Sequence, residues 1–342
     1  MQVKIGIIGL GIMGRKAAEV FLRNPNAEVA AAADINEATL RKSSDILNIP
    51  KCYQDYKEML AKEELDAVYV ATPDWDHYQP VINALRAGKH VGVEKPMTTS
   101  LKEASDIVSL VKKTGLKLQV SYNHRWLSPY HETWRMIREG KIGRPLLGYA
   151  RKNNPIFVPT EMLSWAARST PAWFLSSHDI DLMSWWFDSD PVEAHAYGTK
   201  QVLVARGIDT YDAIQGQVKY ANGNYATFEA AWIYPNTHPG MPDSFMEVIG
   251  SEGHMHLDRK MEAIEMSTKE KFMWPRSFLN CNIFGEWEGA FPACLNSFIK
   301  DIAENREPVV SARAGWRTTA ALDAIHRSLV SNKIEQVANA PA

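Results

Sequence analysis

Three glycines and an acid carry the first chemical signal in the chain. Gly9-Leu10-Gly11-Ile12-Met13-Gly14 follows the apolar run Val3–Ile8 and opens a helical pattern; Asp34 closes the next apolar run, 20 residues after Gly14. The first glycine of such a junction permits a tight turn, the second lets backbone approach a pyrophosphate, and the third lets helix pack closely on strand. The pyrophosphate then lies against the unpaired amides and positive end of the helix. A carboxylate at Asp34 can accept hydrogen bonds from both adenosine ribose hydroxyls and would repel a 2′-phosphate. Ile35 and Asn36 follow it with no basic residue. The spacing therefore predicts NAD rather than NADP, with Gly9, Gly11, Ile12, Met13, Gly14, Asp34 and Ile35 around the cofactor. A turn cluster with Asp34 as a plain helix cap is the simpler alternative, and it does not account for context, spacing and acid together.

A dinucleotide at that junction needs a parallel sheet to position it. Short apolar runs at Val3–Ile8, Glu28–Ala33, Ala67–Ala71, His90–Val93 and Leu116–Ser121 read as strands buried on both faces. Amphipathic stretches separate them, at Met13–Arg23, Glu37–Leu47, Tyr56–Ala61, Tyr78–Ala87 and Leu101–Lys113. Strand and helix in alternation predict a doubly wound Rossmann sheet, an α/β fold, over residues 1–122. Beyond Asn123 the texture changes. A helix near Pro129–Arg138 precedes β-rich segments at Leu146–Lys152, Glu193–Val204, Tyr211–Tyr220, Tyr225–Ile233, Ser244–Ile249 and Gly253–Leu257. Helices are expected near Ser177–Phe187, Glu288–Asn305 and Ala314–Val330. Strands without regular crossover helices predict an α+β domain over residues 123–342, built on a largely antiparallel open sheet.

Composition bounds the partners. The chain has 342 residues, about right for two domains, and 38 Lys and Arg balance 40 Asp and Glu. Without a charged run there is no electrostatic case for nucleic acid or an anionic membrane. Cys52, Cys281 and Cys294 are scattered, which fits a reducing cytoplasm better than a disulfide framework. No leader-like segment and no long apolar span is visible, so a cytoplasmic protein is expected. No metal-ligand spacing stands out.

Two further segments make the chain resemble a known family. Ala71-Thr72-Pro73-Asp74-Trp75-Asp76-His77 follows one parallel strand and Glu94-Lys95-Pro96 follows the next. With the glycine loop and the antiparallel second half, they resemble the Gfo/Idh/MocA oxidoreductases over essentially the whole chain. Both segments leave the carboxyl ends of their strands, where ligands of an open parallel sheet bind. The resemblance implies that Thr72, Pro73 and His77 lie beside the cofactor, with capping or packing as the alternative for His77. It implies that Glu94 and Lys95 reach the cofactor and that Lys95 also faces the substrate hydroxyl, stabilising alkoxide as a catalytic residue. In Ser177-His178-Asp179-Ile180-Asp181-Leu182, His178 matches the family's proton-transfer histidine; Asp179 and Asp181 read as acids favouring the first turn of their helix.

One departure is visible. Many members carry an aspartate four residues before this histidine; here that position is Phe174, so either another acid serves, with Asp181 the nearest on the helix, or proton transfer relies on Lys95 and His178 alone. Further substrate contacts are expected from Asn123, Arg125, Trp165 and Arg168, with Tyr122, His124, Trp126, Trp232, Tyr234 and His238 as other residues near the cleft. Aromatic faces and amide or guanidinium groups suit a carbohydrate. The implied activity is reversible hydride transfer between NAD and a sugar, sugar derivative or cyclic polyol. The alternatives are an NAD-dependent glycosidase working through transient oxidation and a dinucleotide sensor without chemistry. Too few helices flank the second sheet to cover both faces, so a homodimer or homotetramer is expected.

Overall fold

In this computed structural model, which describes residues 2–260 and 262–341, the apolar runs of the first third become strands covered on both sides. They are β1 (Val3–Ile8), α1 (Ile12–Arg23), β2 (Ala27–Ala33), α2 (Glu37–Leu47), β3 (Cys52–Tyr53) and α3 (Tyr56–Lys62). Next come β4 (Ala67–Val70), α4 (Tyr78–Arg86), β5 (His90–Val93), α5 (Leu101–Thr114) and β6 (Leu118–Val120). The later elements are α6 (Ser128–Arg138), β7 (Pro145–Pro155), α7 (Ser177–Phe187), β8 (Pro191–Thr199), β9 (Ala213–Tyr220) and β10 (Tyr225–Tyr234). β11 (Asp243–Gly250), β12 (His254–Asp258), α8 (Ala290–Ala303), α9 (Ala312–Ser331) and a short strand at Glu335–Gln336 follow, with two-stranded hairpins at Met266–Ser267 with Phe272–Met273 and at Cys281–Ile283 with Glu286–Glu288.

The chain divides into two compact units. One comprises Met1–Asn123, Asn280–Trp316 and Ala340–Ala342. The other comprises His124–Leu279 and Arg317–Asn339.

The main sheet of the first unit is wholly parallel, in the order β3-β2-β1-β4-β5-β6. The order reverses between β1 and β4, which opens a crevice at their carboxyl ends. Val3, Ile5, Ile7 and Ile8 of β1 are buried, each contributing about 1.5–3 kcal/mol relative to exposure. Local signals set the helix ends: Asn36, Asp55 and Ser100 side chains accept first-turn amides, and Gly115 closes α5 at φ 67°. β3 was not expected; two residues carry no periodicity to read.

The first unit also takes in residues 280–316, which the sequence assigned to the second half. Gln119 Nε2 donates to Cys294 O at 2.8 Å, and Val120 N donates to Val310 O at 3.0 Å. A Cβ on Gly92 would meet Phe298 at 3.3 Å, so α8 lies against the sheet where β5 has no side chain. Adjacency in sequence cannot reveal a return of this kind.

The second unit holds a seven-stranded sheet in the order β12-β11-β7-β10-β9-β8 followed by Glu335–Gln336. Its pairs are antiparallel except β7 with β10. β8 is shorter than the expected strand, ending at Thr199 and giving way to a 3-10 turn at Val204–Arg206. Along β9, Ile214, Gly216, Val218 and Tyr220 are buried while Gln215, Gln217 and Lys219 face outward, the alternation of a sheet with one covered face. Among the described residues no helix is long and apolar enough to cross a membrane.

Candidate active site

The glycine loop leaves β1 through Gly9, whose φ of 90° suits glycine; a Cβ there would lie 2.7 Å from Ala71 O. Gly14 touches the same turn from the helix side, where a Cβ would fall 1.8 Å from Gly9 O. Gly11 differs from both: a Cβ there would meet no protein atom within 4 Å. The two outer glycines close the turn and the middle one faces open space, as a loop that must admit a phosphate group requires.

Beside the loop is a cavity of about 590 Å3, lined by Gly9, Gly11, Asp34, Ile35, Thr72 and Pro73 among others. Asp34 is fixed by its neighbours, accepting Leu10 N on Oδ2 at 2.7 Å and Asn36 N on Oδ1 at 2.8 Å. Ile35 is 92% exposed, an apolar side chain on the cavity's rim. Ile12 and Met13 begin α1 next to Gly11. The room, the amides of the α1 terminus and the Asp34 carboxylate fit an adenine dinucleotide.

His77, Glu94 and Lys95 do not line this cavity. Both His77 ring nitrogens contact carbonyls, Nδ1 to Pro96 O at 2.7 Å and Nε2 to Thr72 O at 3.0 Å. Burial pulls this imidazole down to about 4, so at neutral pH it ties the Thr72 loop to the Pro96 loop as an uncharged ring. Glu94 is buried and accepts Tyr69 Oη at 2.7 Å and its neighbour's amide, Lys95 N, at 3.2 Å; burial raises its carboxyl. Lys95 is half-buried and joined to Pro96 by a cis peptide bond.

In the second unit His178 is the second residue of α7. Its ring stacks on His124, centroids 4.0 Å apart and planes 16° from parallel. The two acids that follow do more than favour the helix terminus. Asp179 pairs with Lys152 Nζ, both wholly buried. Asp181 receives a bidentate bond from Arg125, Nε to Oδ2 at 2.8 Å and a terminal nitrogen to Oδ1 at 2.6 Å. Asp181 is thereby committed to Arg125 and does not stand in for the acid missing at Phe174. Burial explains the correction, because a carboxylate this enclosed needs a cation.

The aromatic residues divide in the same way. Phe174 meets Trp165 edge-on at 6.1 Å and Trp232 at 6.2 Å, within an apolar cluster that includes Val158 and Leu203. Trp232 is fully buried and donates Nε1 to Tyr211 O at 2.6 Å. Trp165 is thus part of a core edge. Arg168 is exposed on a short 3-10 turn. Asn123 is buried, with no hydrogen-bond partner for Oδ1 among the described residues. Tyr234 Oη accepts Asn153 Nδ2 at 2.8 Å, and its ring lies 5.3 Å from His238. Among the described residues no group of three or more His, Cys, Asp or Glu is arranged to hold a metal ion.

The glycine loop, the crevice and the second sheet have counterparts in known proteins. Residues 3–122 match the model of an oxidoreductase family with an NAD-binding Rossmann fold, and residues 130–256 match the GFO/IDH/MocA C-terminal domain. The chain belongs to the GFO/IDH/MocA oxidoreductase family. Its relatives include a myo-inositol 2-dehydrogenase of Thermotoga maritima, 25% identical over 92% of each chain. A D-apiose dehydrogenase of Paraburkholderia graminis is 26% identical over 96% of this chain and 88% of its own. A scyllo-inositol dehydrogenase from Lactobacillus casei, solved with NAD(H) and scyllo-inositol, shares the fold at a TM-score of 0.86. That likeness spans 99% of this chain and 100% of the other at 23% identity.

Within this GFO/IDH/MocA chain, several residues of interest escaped sequence reasoning. Gln54, Asp55, Tyr56 and Lys57 line the cofactor cavity from the β3–α3 turn. The Asp-Tyr-Lys turn could have been flagged as a loop at the carboxyl end of a strand, had two-residue β3 been legible. Lys152, in the middle of the second sheet, carries no sequence signal, because a lysine closing an alternating run reads as exposed.

Proposed function

We propose that this oxidoreductase transfers hydride between NAD and a ring hydroxyl-bearing carbon of a cyclic polyol or sugar. The observation that carries the reading is the cavity at the β1–β4 crevice, where open space at Gly11 adjoins a fixed Asp34 carboxylate. Gly11 and the first amides of α1 would hold the pyrophosphate, Asp34 the adenosine ribose, and Ile35 an apolar face of adenine. When bound, NAD supplies the hydride acceptor. His178 takes the alcohol proton on its imidazole. Lys95 offsets the charge that develops on the substrate oxygen, and Glu94 orients the Lys95 backbone. The inositol and apiose dehydrogenases among the relatives support a polyhydroxylated substrate.

Initial rates of nicotinamide reduction with inositols, monosaccharides and glycosides test the reading. Oxidation of at least one polyol or sugar is expected, with Lys95→Ala lowering turnover by roughly 10²–10⁴-fold while NAD still binds. NAD binding with no turnover on any of them would overturn it.

The reading extends to assembly. The exposed Tyr197 of β8 and Tyr225 of β10, on the outward side of the second sheet, support a homodimer or homotetramer built through this sheet. Sedimentation at micromolar concentration should show more than one chain per particle; a monomer would refute it.

A further inference from the structure

Phe174, four residues before His178, packs into the apolar cluster with Trp165 and Trp232, while the His178 ring stacks on His124. Lys152 on β7, opposite Ala230 of β10 and Ser244 of β11, reaches Asp179 of α7 with its ammonium. The same ammonium lies 3.5 Å from His124 Nδ1. His124 in turn is the ring on which His178 stacks. We infer that Lys152 is a positioning residue for His178: anchored on Asp179, it donates to His124 Nδ1 and fixes the platform under the catalytic imidazole. This deepens the proposed function and rests on its assignment of proton transfer to His178.

An ammonium has hydrogens to give and no lone pair, so its contact with Nδ1 requires that nitrogen to be the acceptor. The hydrogen of a neutral His124 ring then sits on Nε2. The charges around the ring enforce neutrality. Lys152, Arg259 and Arg276 are the cations that act on the ring, and the His178 and Tyr130 rings pack against it. The two carboxylates are already taken, Asp179 by Lys152 and Glu262 by Arg259 at 2.8 Å and Arg276 at 3.5 Å. Burial, reinforced by the His178 ring and these cations, holds His124 well below the usual histidine range. Burial also draws Lys152 down to about 8, with Asp179 pulling the other way.

A neutral ring suits the task. The electron-rich face of an uncharged imidazole tolerates a proton arriving on a stacked neighbour, whereas two stacked imidazolium rings repel. The orientation of His178 is set through the face it stacks on His124.

Histidine nitrogen NMR on the full-length protein, without substrate or NAD, tests the inference independently of turnover. Assignment uses His124→Phe and His178→Gln. His124 should stay in one neutral form, hydrogen on Nε2, from about pH 5 to about pH 7, where Lys152 is an ammonium. The double variant Lys152→Met/Asp179→Asn removes both buried charges at nearly constant shape. It should release the His124 tautomer and lower turnover about tenfold with KM changed less than about twofold. Lys152→Arg should restore most of the loss. Titration of His124 near neutrality in the unaltered protein would overturn the inference, as would a double variant with unchanged tautomer and turnover. If the double variant fails to fold, the His124 tautomer in the unaltered protein and the turnover of Lys152→Arg still decide. Absence of turnover on every polyol and sugar overturns the proposed function, whereas the tautomer result judges the positioning role itself.

Discussion

The amide of Leu10, between the first two glycines of the loop, donates to Asp34 Oδ2 at 2.7 Å. The acid that should read the ribose is therefore also a strut of the phosphate loop. Asp34→Ala loses two charge-assisted bonds to backbone as well as the ribose contact. NAD affinity is expected to fall about 10- to 100-fold, and the preference for NAD over NADP to shrink. Calorimetric titration with both cofactors measures each effect; unchanged NAD binding would contradict the assignment.

The loop glycines are separable. Gly14→Ala puts a methyl 1.8 Å from Gly9 O and must displace α1, a loss of roughly 3 kcal/mol or more. The midpoint of thermal unfolding should fall by roughly 5–10 °C. Gly11→Ala meets no protein atom within 4 Å, so stability should hold while NAD binding fails. Thermal scans with and without NAD distinguish the two.

His77 predicts a pH dependence of folding. Its imidazole, pulled by burial from 6.5 to about 4, is neutral in the fold while the unfolded chain binds a proton below the ordinary value. The unfolded state binds more protons between those limits, so stability is full above about pH 6.5 and declines as pH falls toward 4. The decline attributable to this residue is roughly 3 kcal/mol. In His77→Gln the difference in unfolding free energy between neutral pH and about pH 4 should shrink by that order, read from denaturant curves.

Arg125 and Asp181 are buried as a bidentate pair, with the Arg125 guanidinium 5.2 Å from the Trp185 ring. Arg125→Ala leaves the Asp181 carboxylate buried beside one lost partner, at a cost of roughly 3–5 kcal/mol. Arg125→Met/Asp181→Leu should recover most of that loss, because breaking such a pair is worse than replacing it. Chemical denaturation of the two variants compares them directly.

Much of the first unit was legible because its rules are local. Strand, glycine turn, helix and acid follow one another within 34 residues, and each step has a conformational reason readable from residue type. Helix α7 was also legible, and with it the place of His178. The surroundings of His178 were not. Arg125 lies 56 positions from Asp181, and Lys152 lies 27 from Asp179. A lysine or arginine in a row of letters looks solvated until the fold encloses it. The same holds for Trp165, whose suitability for stacking on a sugar gave no warning that Phe174 and Trp232 share its apolar cluster.

The return of residues 280–316 to the first unit bears on how this protein is made. A ribosome releases β1 to β6 early, yet the backbone partner of Val120 and the ring opposite Gly92 are supplied by Val310 and Phe298. Until those residues emerge, part of the parallel sheet has neither its cover nor its hydrogen bonds. The nucleotide-binding half is finished only after Phe298 and Val310 have been made, and a fragment cut at Asn123 would carry an exposed apolar surface in place of a domain wall.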